Sequence, residues 1–237
     1  MKKSTLAIAI GSLTLGVMTM GAASSALAAE VSGNVALSTD YKFRGISQSD
    51  GEALSGGFDV AFDNGFYIGT WGSSIEEWGN GLELDYYAGY SSSFNDSVSY
   101  DIGVLAYTYP NADKDDHGDL DYNEIYGSVG FADFTVGFAY SDDYFAGTGD
   151  FTYLYVDYSY ALNDSYSLDL HLADNSIDDN EAFGTPDYLD YSIGVSTSFE
   201  GLDISVSYID TDLSDEECFG GDDLCEGSVV LTLSKSL

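Results

Sequence analysis

The chain has 237 residues, with 41 acidic and six basic side chains and a formal net charge of −35, a balance that repels nucleic acid and anionic lipid and gathers cations. Aromatic residues make up 15% of it and prolines number two, which excludes an acidic disordered chain. Beyond the N-terminal segment no apolar run reaches the ~18 residues a helix needs to cross a bilayer.

Lys2 and Lys3 precede an uncharged, largely apolar run from Leu6 to about Met20, and Ala26-Leu27-Ala28 supplies a small-x-small cleavage site. That is the pattern of a secretory signal peptide over residues 1–28, which leaves 29–237 as one mature domain.

From there the sequence alternates apolar and polar residues with period two, which places one set on each face of a strand. In chain order the predicted strands cover 31–43, 54–62, 66–71, 81–91, 97–109, 121–131, 134–141, 151–161, 166–173, 188–199, 202–210 and 228–237. Leu82, Leu84, Tyr86, Ala88 and Tyr90 form one apolar row, and Leu202, Ile204, Val206 and Tyr208 another. Short turns at Asp63-Asn64-Gly65, Asn95-Asp96, Ala132-Asp133, Asn163-Asp164 and Glu200-Gly201 alternate with longer acidic connections such as 110–120, 141–150, 174–187 and 211–227. Alternating short and long loops around an even number of strands is the arrangement of an outer-membrane barrel. The expected fold is therefore all-β, a transmembrane antiparallel β-barrel of about 12 strands, with short periplasmic turns and long acidic extracellular loops. Phe94, Tyr160, Tyr166 and Phe199 would form an interfacial girdle beside the short turns, and Tyr41, Tyr140, Tyr188 and Tyr208 one toward the long loops. A secreted soluble β-sandwich with this apolar set inside is the alternative architecture.

A barrel of this size lies between those filled by side chains and those that hold a water channel. Strand parity turns Asp59, Glu83, Asp85, Asp101, Asp157, Asp169 and Asp190 toward the lumen, with Asp40, Lys42 and Arg44 on the inner face of the first strand. Opposed charges at a constriction set ion selectivity; the plainer reading is that the two cations pair with neighbouring acids and help close the barrel. Inward glycines at 57, 89, 103, 137 and 194 either widen the lumen or make room for aromatic packing.

The loop from Asp113 follows the spacing of a calcium-binding EF-hand loop through Asp115, Gly118, Asp119 and Glu124, but position five is His117 and its flanks read as strands. A loop-bound Ca²⁺ is one reading of these residues and a solvated acidic loop the other. Cys218 and Cys225 fit a loop-closing disulfide better than a metal site, since no histidine stands near them. His171 points inward beside Ser167 and Asp169, no nucleophile motif surrounds any serine, and no phosphate-binding loop or basic patch is present. An enzyme is not expected, nor a cofactor beyond loop calcium.

Ser38-Thr39-Asp40-Tyr41-Lys42-Phe43-Arg44-Gly45-Ile46-Ser47-Gln48 resembles the N-terminal signature of the TorF-type porin family, as do Gly56-Gly57-Phe58-Asp59, the run from Gly65 to Ser73, the run from Glu83 to Tyr90 and the closing Val229–Leu237. The likeness is specific over roughly the first third of the mature chain and the last strand. It implies a Gram-negative outer-membrane location and a channel role, and assigns no ligand or functional residues. The final residue, Leu237, departs from the Phe with which many barrels end. The combined expectation is a porin-like channel for passive diffusion of small cationic or neutral solutes, with outer-membrane lipid around it, no nucleic-acid partner and an oligomeric state left open. The alternative is a non-conducting structural barrel that binds divalent ions or a partner.

Overall fold

The computed structural model describes residues 29–76, 81–112 and 118–237. The predicted signal peptide therefore lies outside the described residues. Twelve long strands close into one antiparallel barrel: β1 (Ala29–Ser38), β4 (Ala53–Phe62), β5 (Phe66–Ser73), β6 (Glu83–Asn95), β7 (Val98–Thr108), β8 (Tyr122–Phe131), β9 (Phe134–Ser141), β10 (Phe151–Ala161), β11 (Tyr166–Ile177), β12 (Tyr188–Phe199), β13 (Leu202–Thr211) and β14 (Ser228–Ser236). Each pairs with its neighbour in sequence, and β1 also pairs with β14, Asn34 opposite Ser236, so no sheet edge is left open. Two further strands, β2 (Lys42–Phe43) and β3 (Ile46–Ser47), form a small hairpin of their own.

The predicted alternation sorts the two faces. Val31, Leu54, Phe58, Ile68, Ile102, Val104, Val136, Leu154, Ile193 and Val229 stand exposed on the outside of the barrel. Phe66, Phe94, Phe131, Phe134, Tyr160, Tyr166 and Phe199 stand exposed on that face near the short turns. The turns explain the tight connections: Glu200 (φ 52°) and Gly201 (φ 76°) are both left-handed, the two-residue geometry that matches the twist of adjoining strands.

Two expectations need correction. The strand predicted over 31–43 stops at Ser38, and residues 39–52 leave the wall and turn into the lumen. Tyr41 and Tyr188, predicted as girdle residues, point inward: Tyr188 is buried and donates its hydroxyl to the Arg44 carbonyl at 3.1 Å, and Tyr41 donates to Glu83 at 2.9 Å. The buried apolar cluster sits inside the long-loop end, where Tyr107, Tyr109, Tyr122, Tyr144, Phe151 and Tyr153 pack around the hairpin. The connection from β9 to β10 adds a short 3-10 turn at Phe145–Gly147, and that from β11 to β12 adds one helical turn, α1 (Asn180–Phe183).

Candidate functional site

The site is the lumen, and the β2–β3 hairpin is its central element. Arg44 (φ 51°) and Gly45 (φ 81°) form the two-residue turn at its tip, with Phe43 paired to Ile46. Gly45 is required there twice over: its φ is left-handed, and a Cβ would lie 2.4 Å from Thr211 Cγ2 and 2.9 Å from Asp190 Cβ. The tip therefore lies against β12 and β13, two to three strands round the barrel from β1.

Arg44 fixes it there. Its guanidinium meets the Glu124 carboxylate of β8 at two points, 2.8 and 2.9 Å, with both side chains almost fully buried. Three rings stack around the same group, Phe43 at 4.6 Å, Phe151 at 4.5 Å and Tyr153 at 4.5 Å from the guanidinium carbon to each centroid. Lys42 is buried as well, and its ammonium donates to the carbonyls of Glu226 at 2.6 Å and Gly45 at 3.4 Å. Burial holds this ammonium below the ordinary lysine value, against the opposing pull of Asp40, Asp210 and Glu226. Backbone bonds from Ser47 N to Leu224 O (2.9 Å) and Glu76 N to Gln48 O (2.8 Å) complete the docking.

The predicted acids do line the interior, each with a distinct setting. Asp40 lies at the hairpin base and accepts from Ser47 (2.6 Å) and Ser49 (3.2 Å). Asp59 accepts from Tyr87 at 2.5 Å and Asp101 from Tyr67 at 2.8 Å. Asp169 accepts from Ser159 and Ser196, both at 2.6 Å, tying β10, β11 and β12 together. Asp157 and Asp190 flank His171, at 2.6 Å from Nδ1 and 3.0 Å from Nε2, and Asn175 donates to Asp190 at 2.7 Å. Both imidazole nitrogens thus face carboxylates, with Tyr153 also 2.9 Å from Nε2, so His171 is a cross-strand bridge. Glu83 and Asp85 lie side by side on the inner face of β6, and both Asp85 oxygens are buried without a hydrogen-bond partner.

Lys42 and Arg44 belong to this lumen but not to its wall, a correction to their predicted place on the first strand. Glu124 corrects the calcium-loop reading: it sits within β8, faces inward and is held by Arg44, so it does not close a calcium loop. Asp113 and Asp115 lie outside the described residues, and Asp119 accepts from the Asp121 amide at 3.3 Å. Among the described residues no group of three or more acidic, His or Cys side chains is arranged to hold a metal. Cys218 and Cys225 are joined in a disulfide, which closes the loop whose Leu224 and Glu226 carbonyls receive the hairpin.

Three of the predicted inward glycines, Gly89, Gly103 and Gly137, together with Gly69, make room for tyrosines, whereas Gly57 lies against the Thr70 carbonyl and Gly194 against the Ser207 hydroxyl. Tyr67 lies over Gly89, Tyr87 over Gly69, Tyr126 over Gly103 and Tyr155 over Gly137, each pair directly opposite across neighbouring strands. Residues absent from the sequence expectation, Glu124 as the arginine's partner and Tyr144 and Tyr153 as its surroundings, share the inward parity of their strands or loop. Parity alone signals their direction, and nothing local signals whom they meet.

A closed twelve-stranded barrel with an apolar outer belt and an acidic interior invites comparison with known proteins. The model of one family, described as "Bacterial protein of unknown function (Gcw_chp)", matches residues 22–237. The chain belongs to the Gcw_chp family. Among solved structures, the KdgM porin superposes on this Gcw_chp chain with a TM-score of 0.55 at 13% identity, covering 86% of the chain and 97% of the porin. The NanC porin gives 0.53 at 11% identity, covering 86% and 98%. No curated protein sequence matches. At these identities the likeness carries the fold: this Gcw_chp chain is a porin-like barrel.

Proposed function

We propose that this chain is a channel of the bacterial outer membrane, exported by a cleaved signal peptide over residues 1–28, that passes small cationic or neutral solutes. The observation that carries the reading is the division of faces: an apolar, aromatic-edged belt outside a closed sheet, and carboxylates with few compensating cations inside. The fold shared with the KdgM and NanC porins supports it, as does the resemblance of the segment around Asp40–Gln48 to TorF-type porins. The long loops add to the negative field at the mouth through Asp215, Glu216, Asp222 and Asp223. The reading assigns no catalytic step to the lumen.

The hairpin makes the resting pore narrow, and this observation favours the second reading, a non-conducting barrel whose loops bind a partner. Planar-bilayer recording of the refolded mature chain under a salt gradient separates the two. A channel gives discrete openings with a cation-selective reversal potential, reduced when Asp59 and Asp101 are changed to Asn. A folded, heat-modifiable barrel that stays silent, with Arg44 intact or replaced, refutes the channel.

A further inference from the structure

Between the hairpin and the long loops lies a pocket of about 310 Å³, at the small end of the range for ligand sites. Its wall is mostly aromatic: Phe43 from the hairpin, Tyr109 after β7, Tyr144 and Phe145 after β9, Phe183 of α1 and Phe219 of the disulfide loop. Among the described residues Asp222 is the one charged residue on it. Arg44 adds no net positive charge beneath the pocket because Glu124 neutralises it.

Aromatic faces beside a carboxylate such as Asp222 attract organic cations, above all ammonium groups with bulky, weakly hydrated substituents. Inorganic cations have no such claim, since rings cannot replace their hydration shell and the pocket offers few oxygens. The same rings already hold one cation, because the Arg44 guanidinium lies 4.6 Å from the Phe43 centroid and 5.8 Å from that of Tyr144.

We infer that this pocket is a binding site for small organic ammonium ions on the route into the lumen. The inference deepens the channel reading by naming its solute class and rests on that reading only for the word route. Binding itself requires no conduction.

The test is calorimetric titration of the folded barrel in detergent with choline and with its uncharged isostere 3,3-dimethylbutan-1-ol. The expected result is binding of choline at least ten-fold tighter than the alcohol. Asp222→Asn should weaken choline several-fold and leave the alcohol unchanged, while Phe145→Leu and Phe219→Leu should weaken choline with heat-modifiability intact. Equal affinity for the two probes, or no binding of choline to a correctly folded barrel, overturns the proposal. A barrel that binds choline but never conducts refutes the channel alone. One that conducts but ignores choline refutes this site alone.

Discussion

Replacing Arg44 with Gln removes the charged anchor at the tip of the lumenal hairpin. In the native protein its guanidinium and the Glu124 carboxylate are both nearly fully buried and meet at 2.8 and 2.9 Å. Removing one member of such a pair leaves a buried charge uncompensated, which costs about 3–5 kcal/mol. Loss of the stacking against Phe43, Phe151 and Tyr153 adds to this, and uptake of a proton by Glu124 offsets part of it. A net shift of ~3 kcal/mol moves the docked-to-released equilibrium of the hairpin by about two orders of magnitude. The barrel wall should persist, since none of its ladders depends on Arg44. Hydrogen exchange provides the assay. The Ser47 and Glu76 amides, bonded to Leu224 O and Gln48 O, should lose protection by about that factor, and bilayer recordings should show larger or more frequent openings. The double variant Arg44→Gln/Glu124→Gln should recover most of the loss, because no lone charge is left behind. Native protection of Ser47 and Glu76 in Arg44→Gln, with unchanged conductance, would refute the latch.

Gly137→Ala should destabilise the barrel by about 1–3 kcal/mol, since the new Cβ would lie 2.4 Å from the Tyr155 hydroxyl and ring; adding Tyr155→Ser should remove the clash, and urea unfolding in vesicles reads both. Reducing the Cys218–Cys225 disulfide frees a loop with a sequence separation of 7, worth roughly 2–3 kcal/mol of chain ordering. It should lower hairpin protection without changing the heat-modifiability of the barrel. At alkaline pH the loop end should loosen. Burial, then neighbouring carboxylates, raises the pKa of Tyr41 and Tyr109, and burial does the same for Tyr144 against the pull of Arg44. A raised acid favours the folded state below its ordinary value near 10 and loses that contribution as pH climbs through the folded value. Absorbance at 295 nm should therefore show these tyrosines ionising only together with loss of hairpin protection; ordinary titration near pH 10 with the hairpin still docked would contradict it.

The barrel is legible in the sequence because its two faces differ chemically, so Leu84, Tyr86 and Ala88 against Glu83, Asp85 and Tyr87 state both the strand and its orientation. Short turns are legible through left-handed pairs such as Glu200-Gly201. The hairpin is not. Tyr41 and Phe43 continue the apolar alternation of β1 beyond Ser38, and only the Arg44-Gly45 turn marks the break, where its contacts lie 80 residues away at Glu124 and 144 residues away at Tyr188. Glu124 shows the same limit: loop spacing places it at a calcium position, while its strand parity with Tyr122 and Tyr126 turns it inward. Spacing reports which face a residue occupies, and the partner on that face is set by closure of the whole sheet.

The four tyrosine–glycine pairs all lie on β5 to β10, whereas the inner faces of β12 to β14 carry Ser192, Ser196, Ser205, Ser207, Thr232 and Ser234. The β5–β10 arc is thus panelled with rings, and the β12–β14 arc with short hydroxyls. Ser192, Ser196, Ser205 and Ser207 are buried all the same, so the hydroxyl arc is packed and not a water-lined gap. Bulk added at Ser196, which is buried and bonded to Asp169, should therefore strain the barrel much as bulk added on the tyrosine arc does.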